Sequence, residues 1–548
     1  MKGKRLLTTL VLGVGLTMAL LWLLSGPGTG LPAVRAADLH VCPSGCAYSS
    51  IQAAVDAASG GDVIKVATGT YTGVSARAGV TQVVYISKSI TIQGGYTTAF
   101  TEPPNPEANP TTLDAQEQGR VLYITGDVST TVEGLRITGG YVKASGGGIY
   151  NKDADLALAN TIITNNVSNG DNWPGGLGGG MYVDRGSVVL SEVQVISNSA
   201  SYKGGGLCVW GDSVTLSGGQ ISHNTARGPN MWDGGGGMFV LGSATLNGVQ
   251  VISNTVGNGS NGGGLYLYRS HVTLIGGQII DNSAAVAGGG VYIWPGTSPG
   301  GGVTLSQWQI ISNTAYWGGG VYIAFGGVFT VTGASSIAHN SAIDKGGGVY
   351  VEDGLATLSR AHIVSNTAGQ DGGGILVGGS TANVTLTNSV VTDNRADRLG
   401  SGLYVEDGSS RLVHVTIARN LGGDGSGIHV TGSAATVAMT NTIVATHTVG
   451  ITVTDGNTAT LEGVLWYSNT ADYGGEGTIT VTKAYTGDPA FAADGYHLTL
   501  LSEAIDKGVD AGVTTDIDGF RRPCGRAPDL GADEINCLYL PAISKYRN

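Results

Sequence analysis

The sequence predicts an all-β protein, a right-handed single-stranded parallel β-helix of about a dozen coils, each with three strands. Three observations indicate this fold. Glycine triplets recur at intervals of roughly 25 to 32 residues along the chain. Three short extended runs with alternating apolar and polar residues fill each interval. The repeats contain no helix-forming run of adequate length, so each coil can bury its apolar residues only by stacking on its neighbours.

The glycine triplets are predicted to form the turn that begins each coil. Glycine makes up 93 of the 548 residues. A side chain in such a turn would collide with the equivalent turns above and below, or would need a positive φ. A phosphate-binding loop is the competing interpretation, but no GxxxxGK[ST] pattern follows and no helix begins there. The triplets or close variants begin at Gly146, Gly178, Gly204, Gly235, Gly262, Gly288, Gly318, Gly346 and Gly372, with GSG forms at Gly400 and Gly425.

Three strand patterns follow one another in each repeat. The first is an apolar–Tyr–apolar run after the glycines, as in residues 346–351. The second resembles VTLS at residues 214–217, and the third resembles QIISNTA at residues 278–284. Each strand is expected to pair in parallel and in register with its equivalent in the next coil. The usual chirality of parallel crossovers makes the predicted β-helix right-handed.

An asparagine closes the third strand of successive repeats. Asparagine tolerates the left-handed region and bonds turn backbone, and stacked copies can bond one another as an internal amide ladder. We therefore assign these residues a structural role. They are Asn198, Asn224, Asn254, Asn282, Asn313, Asn340, Asn366, Asn394 and Asn420.

Aromatic residues recur at position two of the first strand, with a few more at position four. Alternation along the strand places both positions on the outer face. Two interpretations stay open: a mutually stacked column that keeps the coils in register, or a surface on which sugar rings stack. The ligand-binding candidates are Trp210, Tyr266, Tyr268, Tyr292, Trp294, Tyr322 and Tyr350.

Two acidic pairs, Glu352-Asp353 and Glu406-Asp407, occupy equivalent positions two coils apart. Coil rise separates them by roughly 10 Å, near the upper limit for the two carboxyl groups of inverting glycosidases. They are the candidate catalytic residues, with solvated turn acids as the competing interpretation. His223 and His339 precede ladder asparagines about four coils apart, too far from each other to share a metal.

The two ends of the chain differ from the repeats. Residues 1–36 have the basic start and apolar segment of an export signal cut before Ala37, with an uncleaved membrane anchor as the alternative. Residues 37–62 are predicted to form an N-terminal cap with a short helix, in which Ser49 and Gln52 have capping-box spacing. The β-helix is expected over residues 63–485, a closing module over 486–536 and a tail over 537–548.

The five cysteines fit an exported protein, in which local disulfides are stable. Their spacing favours Cys42–Cys46 and Cys524–Cys537 pairs and leaves Cys208 over. No metal or other cofactor is expected. Asp516 and Asp518 are similar to the start of a calcium loop, but the acidic ligands that should follow are missing.

The net charge of −12 argues against nucleic acid and against an anionic membrane surface as partners. After removal of the leader, no segment is apolar and long enough to span a bilayer. We expect a monomer that is secreted or held at the cell surface.

Several segments together resemble the pectin-lyase-like right-handed β-helix superfamily. They are the IQAAVDAASGGDVIKVATGTY start and the repeated coils over about residues 40 to 485. The end, with DPAF, TDIDGFRRP and PDLGADE, resembles the choice-of-anchor Q segment of secreted repeat proteins. The superfamily's enzymes act on acidic polysaccharides, but neither the GHG motif of its hydrolases nor the WHD lyase motif occurs here. The resemblance implies an exported β-helix with a structural, adhesive or polysaccharide-binding role; the alternative is a polysaccharide lyase or glycoside hydrolase.

Overall fold

The computed structural model describes residues 36–171, 175–257, 259–296 and 301–536. Within these ranges there is one helix, α1 (Ile51–Ala57). The N-terminal strands are β1 (Asp38–Val41), β2 (Val63–Ala67), β3 (Gly69–Tyr71), β4 (Ser75–Arg77), β5 (Val80–Ile86), β6 (Thr91–Tyr96), β7 (Thr111–Asp114), β8 (Arg120–Thr125), β9 (Ser129–Glu133) and β10 (Leu135–Thr138).

The glycine-triplet repeats supply the next thirty strands: β11 (Tyr141–Val142), β12 (Ile149–Lys152), β13 (Asp155–Ala159), β14 (Ile162–Thr164), β15 (Val167–Ser168), β16 (Met181–Asp184), β17 (Ser187–Ser191), β18 (Gln194–Ile196), β19 (Ser199–Ala200), β20 (Leu207–Ser217), β21 (Gln220–Ser222), β22 (Thr225–Ala226), β23 (Met238–Ile252), β24 (Thr255–Val256), β25 (Leu265–Tyr268), β26 (His271–Ile280), β27 (Val291–Trp294), β28 (Gly302–Ile311), β29 (Thr314–Trp317), β30 (Val321–Ile323), β31 (Val328–Val331), β32 (Ser335–Ala338), β33 (Ser341–Lys345), β34 (Val349–Glu352), β35 (Leu355–Ser359), β36 (Ala361–Val364), β37 (Thr367–Ala368), β38 (Ile375–Gly378), β39 (Asn383–Thr392) and β40 (Arg395–Ala396). The last strands are β41 (Leu403–Glu406), β42 (Ser409–Ala418), β43 (Ser426–Thr431), β44 (Thr436–Ala445), β45 (Val449–Val453), β46 (Thr458–Tyr467), β47 (Ala471–Gly474) and β48 (Thr478–Thr486).

The strands stack as a parallel β-solenoid of about 15 coils, close to the predicted dozen. Each strand pairs with its equivalent in the next coil, so that Tyr292 of β27 lies opposite Tyr322 of β30. Long strands such as β23 turn the corner from one column of strands to the next. An antiparallel hairpin of β4 and β5 is an exception near the N-terminus. The predicted all-β fold and its parallel register are confirmed.

One continuous apolar core fills the rod from Val41 to Trp466. It is built from alternate residues of most strands, as Val291 and Ile293 of β27 show with exposures of 0% and 2%. Strict alternation therefore divides each strand into an inner and an outer side. Side chains that bind a ligand or take part in a reaction can therefore lie only at the outer positions.

Glycine is required at all three positions of a triplet, for two different reasons. Gly288 has a φ of +66°, in the left-handed region that side chains disfavour. A Cβ added at Gly290 would lie 2.7 Å from the carbonyl oxygen of Gly320 in the next coil, and one at Gly289 would collide with Gly319. Both predicted reasons for the triplets, sharp turn and close stacking, are therefore present in one turn.

Many coils contain a fourth, very short strand that the sequence did not indicate. It follows the ladder asparagine, as in β22 and β37, and pairs in two small parallel sheets. One joins β11, β15, β19, β22 and β24, and the other joins β29, β33, β37 and β40. The predicted three-strand coil was therefore incomplete, because two-residue strands are too short to show a period.

The N-terminal cap contains the predicted helix with a different N-cap. Ser50, not Ser49, accepts a hydrogen bond from the Ala53 amide at 3.3 Å. Gln52 does not form a capping box, since its side chain binds the backbone amide of Tyr85 at 2.6 Å. Ile51, Ala54 and Val55 are buried in the core.

The C-terminal segment that follows β48 lies against the side of the rod. Arg360 donates to the Ile517 carbonyl at 2.6 Å, and Asn388 donates to the Thr515 carbonyl at 2.6 Å. Both side chains belong to the corner between the second and third strands of their coils. We keep the name closing module for residues 486–536, although its described contacts are lateral. No helix among the described residues has the length and apolar character needed to cross a bilayer.

Candidate functional site

The aromatic residues at position two of the first strand form a buried column. Tyr266, Tyr292 and Tyr322 have exposures of only 1%, 9% and 5%. Their rings contact one another across coils, with centroids 4.8 Å apart for Tyr266–Tyr292 and 5.4 Å for Tyr292–Tyr322. Tyr350 continues the column, 4.8 Å from Tyr322. The predicted outward direction is correct, but these rings are not a free surface.

The cover over this column comes from the segments that precede the glycine triplets. Leu177, Ala287 and Trp317, each directly before a triplet, pack against the tyrosines. Sequence alternation shows which side of a strand a residue occupies, but it does not show what folds over that side. Tyr292 and Tyr322 are therefore corrected from ligand-binding candidates to structural residues, whereas Tyr350 is partly exposed and stays a candidate. Tyr266 contributes only to the floor of the cleft described next.

Position four of the first strand carries the accessible aromatic residues. Trp210, Tyr268 and Trp294 are all partly exposed, and Tyr268 lies beside Trp294 in parallel register. A fourth ring, Trp232, comes from the long loop after Asn224 and stacks on Trp294 with centroids 3.9 Å apart. Trp232 is half exposed, at 50%. The repeat pattern does not indicate Trp232, because this residue lies outside the repeats.

These rings enclose a space that we call the aromatic cleft, with a volume of about 350 Å³. Trp210 and Trp294 both line it, and Asn230 adds a polar group. The residues that line it are Tyr202, Lys203, Trp210, Asn230, Trp232, Asp233, Phe239, Tyr266, Tyr268 and Trp294.

A buried ion pair holds the cleft in shape. Lys203 Nζ lies 3.1 Å from Asp233 Oδ1, and both side chains are almost fully buried. Lys203 also donates to the Trp232 carbonyl, and Asn261 in the next coil donates to the Met231 carbonyl at 2.7 Å. Burial lowers the pKa of Lys203, while the charge of Asp233 opposes that shift. The Trp232 loop is therefore anchored from the coils on both sides.

A shallower depression of about 480 Å³ continues the aromatic cleft past Trp210. Arg185 and Arg269 line it, together with Asp184 and Leu241. The Arg269 guanidinium lies over the Tyr268 ring, 5.1 Å from its centroid. The depression thus adds charged groups directly beside the aromatic walls.

The acidic candidates occupy position four of the first strand further along the rod. Glu352, Gly378 and Glu406 lie opposite one another in three successive coils. Tyr322 donates its hydroxyl to Glu352, whereas Glu406 lies 3.5 Å from Lys345 Nζ. We call this group, with the two residues described next, the charged cluster.

A buried carboxylate connects the basic residues of the charged cluster. Asp371, whose side chain is fully buried, accepts from Arg398 Nε at 2.9 Å and lies 3.8 Å from Lys345. Arg398 is more than half exposed, and Glu406 is 40% exposed. The charged cluster therefore exposes both acidic and basic groups to solvent, and the buried Asp371 connects its basic residues.

Asp353 and Asp407 have a different role from their glutamate neighbours. Asp353 accepts from the Thr381 amide at 3.1 Å and its hydroxyl at 2.9 Å. Asp407 binds Ser433 in the same way, and these hydrogen bonds lower the pKa of Asp407. Both residues tie a turn to the next coil. The four acidic candidates therefore separate into two structural aspartates and two accessible glutamates.

The asparagines form a continuous internal ladder. The side-chain amide of each donates to the Oδ1 of the next at 2.9 to 3.0 Å, from Asn198 to Asn420. Each Oδ1 also accepts the backbone amide of the asparagine before it, as Asn340 does from Asn313 at 2.9 Å. The ladder is longer than predicted: Asn166 begins it, and His447 takes the place of the amide after Asn420.

In the turn at each ladder asparagine, the backbone has a positive φ at the residue before the asparagine rather than at the asparagine itself. His223 and His339 have φ values of +55° and +56°. From the sequence, the left-handed conformation is expected at the asparagine, because asparagine tolerates it best. The hydrogen bonds of the asparagine explain its recurrence instead.

The remaining predicted features concern cysteines and termini. Cys42 and Cys46 are joined in a disulfide, and Cys208 is buried in the aromatic column. Burial raises the pKa of the Cys208 thiol, as expected for a packing residue. Cys537, the tail and nearly all of the leader lie outside the described residues, so the Cys524–Cys537 pair and the export signal stay predictions.

A comparison with known protein families matches the central part of the chain. Residues 217–421 and 289–465 match the family model described as right handed beta helix region. The chain contains a right-handed β-helix. The predicted right-handed parallel β-helix is thereby confirmed as the fold. The choice-of-anchor Q resemblance stays a prediction.

One solved structure similar to this β-helix protein is described as the crystal structure of pectate lyase Pel9A. The two chains share 13% sequence identity over 91% of this chain and 96% of the other, with a TM-score of 0.22. No curated protein matches the sequence significantly.

Proposed function

We propose that this β-helix protein binds polysaccharide, with sugar rings held in the aromatic cleft. The observation that carries the proposal is the arrangement of four partly or half exposed rings, Trp210, Trp232, Tyr268 and Trp294, around one open space. Flat aromatic faces offer large, rigid apolar area with little conformational entropy to lose. Such faces complement the apolar C–H faces of sugar rings.

The cleft also has the size and polarity that a carbohydrate requires. Its volume of about 350 Å³ lies at the lower end of the range of small-ligand sites, about 300–1,000 Å³. Tyr202, Asn230 and the neighbouring Arg269 supply hydrogen-bonding groups around the rings. The Lys203–Asp233 pair holds the walls in place before a ligand arrives, which lowers the entropic cost of binding.

Export to the surface is part of the same proposal. The leader pattern supports it, and the Cys42–Cys46 disulfide suits an oxidising compartment. A secreted or surface-attached rod with a fixed lateral cleft would serve in adhesion or in retention of an extracellular polymer.

A polysaccharide array probed with the full chain tests the binding proposal. We expect retention of at least one polysaccharide, and Trp294→Ala or Trp210→Ala should weaken its affinity about tenfold, equivalent to about 1.4 kcal/mol. Tyr316→Ala is the matched control, since that ring is 39% exposed on β29 and lies outside the cleft. Equal retention by folded tryptophan variants and wild type would refute the proposal.

Cleavage of the bound polymer is a second candidate function, favoured by the charged cluster. Glu352 and Glu406 are both partly exposed, and Glu406 lies 3.5 Å from Lys345. Lys345 and Arg398 both contact the buried Asp371. Acid–base catalysis on a polysaccharide requires carboxyl groups and basic groups close together in one site.

Product release distinguishes cleavage from binding alone. Hydrolysis should release reducing ends, and a lyase should also form an unsaturated product. Glu352→Gln or Glu406→Gln should abolish release, whereas Glu462→Gln, an exposed glutamate on β46, should not. Absence of both products from every polysaccharide that the protein retains would leave binding as the function.

A further inference from the structure

Three loops of the closing module bring a histidine and two aspartates together at the side of the rod. His497 lies in the first loop, Asp518 in the second and Asp533 in the third. One ligand atom of each residue lies within 4.8 Å of the other two. Side chains that are 15 to 36 residues apart in sequence therefore share one small volume, and one of the three ligands is a nitrogen.

The imidazole of His497 is oriented by a carboxylate. Asp494 Oδ2 lies 2.6 Å from Nδ1, and Asp494 Oδ1 is held by the backbone amides of Tyr496 and His497. Nε2 faces Asp518 Oδ2 at 2.6 Å, so in the metal-free chain a hydrogen lies between these two atoms, and a metal ion bound there would displace it. A carboxylate on the outer nitrogen is the usual support of a metal-binding histidine, because it fixes the tautomer and raises the basicity of the other nitrogen.

Two buried carboxylates lie in this region. Asp533 is 6% exposed and uses Oδ2 to accept from the Leu498 amide at 2.7 Å. Asp516 is fully buried, and among the described residues its Oδ2 has no hydrogen-bond partner.

The nearest basic side chains are already engaged. Arg522 forms a buried ion pair with Glu534 at 3.2 Å and donates to three carbonyl groups of the 529–532 segment. Arg360 of the rod donates to the Ile517 carbonyl. Burial lowers the pKa of His362, which packs near Tyr496, and so disfavours its charged form. His497 itself lies between Asp494 and Asp518, so a bound cation would replace the proton on its Nε2 as the partner of Asp518 and Asp533.

We propose that His497, Asp518 and Asp533 bind one divalent transition-metal ion of the zinc class, with Asp494 positioning the histidine. Zinc is bound by histidine nitrogen and aspartate oxygen, commonly with a further open position. Calcium prefers six to eight oxygen ligands, so the nitrogen ligand favours zinc over the calcium site considered from Asp516 and Asp518 alone. The ion would hold together three irregular loops of the closing module at the place where this module lies on the rod.

Calorimetric titration of the full chain tests this site. Protein stripped with a chelator is titrated with Zn²⁺, and in parallel with Ca²⁺. We expect one Zn²⁺ per chain, a higher unfolding temperature and no comparable effect of Ca²⁺. His497→Gln and Asp518→Asn should weaken the zinc affinity by about tenfold to a hundredfold. Matched controls are His271→Gln and Asp510→Asn, which change an exposed histidine and an exposed aspartate outside the cluster.

Several outcomes would overturn the proposal. One is the absence of saturable Zn²⁺ binding to the wild type; another is equal binding by both variants and the controls. Saturation with Ca²⁺ in preference to Zn²⁺ would overturn the metal class. X-ray absorption of the zinc-loaded wild type does not depend on a variant that folds, and it should show imidazole nitrogen together with oxygen ligands. A spectrum with oxygen ligands alone would refute the assignment of His497.

Discussion

The aromatic cleft and the charged cluster use the same position of the same strand, yet they differ completely in chemistry. Trp210, Tyr268 and Trp294 occupy position four in one region, and Glu352 and Glu406 occupy it in the other. The backbone register is the same in both. The comparison teaches that a β-helix provides a constant frame, and that function depends on outer side chains and on loop length.

Loop length separates the two regions most clearly. Between Asn224 and Gly235 the chain has room for the loop that carries Trp232, whereas Asn366 is followed by Gly372 after only a short connection. The longer loop leans over the outer column and closes one side of the cleft. Without such a loop, the outer column near Glu352 and Glu406 stays open and polar.

The largest expected effect comes from Lys203→Met. This change removes the ion pair that holds the aromatic cleft in shape and does not alter the charged cluster. It leaves Asp233 buried without its partner and should lower the free energy of unfolding by about 3 kcal/mol. Glycan retention should fall with it. The double change Lys203→Met/Asp233→Leu should restore most of the stability but not the retention. Chemical denaturation and the array measure the two effects, and full stability of the single variant would contradict the prediction.

Asn313→Ala should have the next largest effect, and it should affect both regions because the ladder runs through the coil between them. Asn313 donates to the Ile279 and Ile311 carbonyls and accepts from Asn282. Its loss leaves buried groups unpaired, so the free energy of unfolding should fall by about 2 kcal/mol. Thermal and chemical unfolding test this. Asn383→Ala, on the outer side of β39, is the control and should change stability little.

A smaller effect is expected from pH at the end of the ladder, beyond the charged cluster. Burial lowers the pKa of His447 to about 4, below the usual value of about 6.5 in an unfolded chain. The stability that neutral His447 contributes is complete above pH 6.5 and is lost as pH falls toward 4. Between pH 6.5 and pH 5 the loss should be about 1.5 kcal/mol.

His447→Asn isolates this contribution, because an amide can continue the ladder and does not titrate. Burial also lowers the pKa of His414, to about 3, so some pH dependence should remain in both proteins. The difference between wild type and variant is therefore the quantity to measure, by denaturant unfolding at each pH. Parallel curves would show that His447 is not responsible.

The smallest effect should come from Tyr322→Phe, which sharpens the comparison at the charged cluster. It removes the hydroxyl that binds Glu352 but keeps the ring in the aromatic column. We expect a loss of about 1 kcal/mol in the free energy of unfolding and unchanged glycan retention. Reduced retention would mean that the two regions are one continuous binding site.

The repeat period explains why most of the fold was predictable and part of the site was not. Glycine triplets, alternating strands and the ladder asparagines recur, and each is required in every coil by steric or hydrogen-bonding constraints between neighbours. Trp232 and the Lys203–Asp233 pair occur once, so no repetition marked them. A longer interval before Gly235 was the signal that could have drawn attention to this loop.

The amino-acid pattern was enough to establish the parallel stacking, the inner and outer side of each strand, and the ladder, because these follow from local geometry repeated at a fixed interval. It could not establish that Tyr292 and Tyr322 are covered, that Trp232 reaches Trp294, or that His497 meets Asp518 and Asp533. Those facts depend on where irregular loops fold over the rod. Contacts between loops distant in sequence leave no periodic trace, so the folded chain had to reveal them.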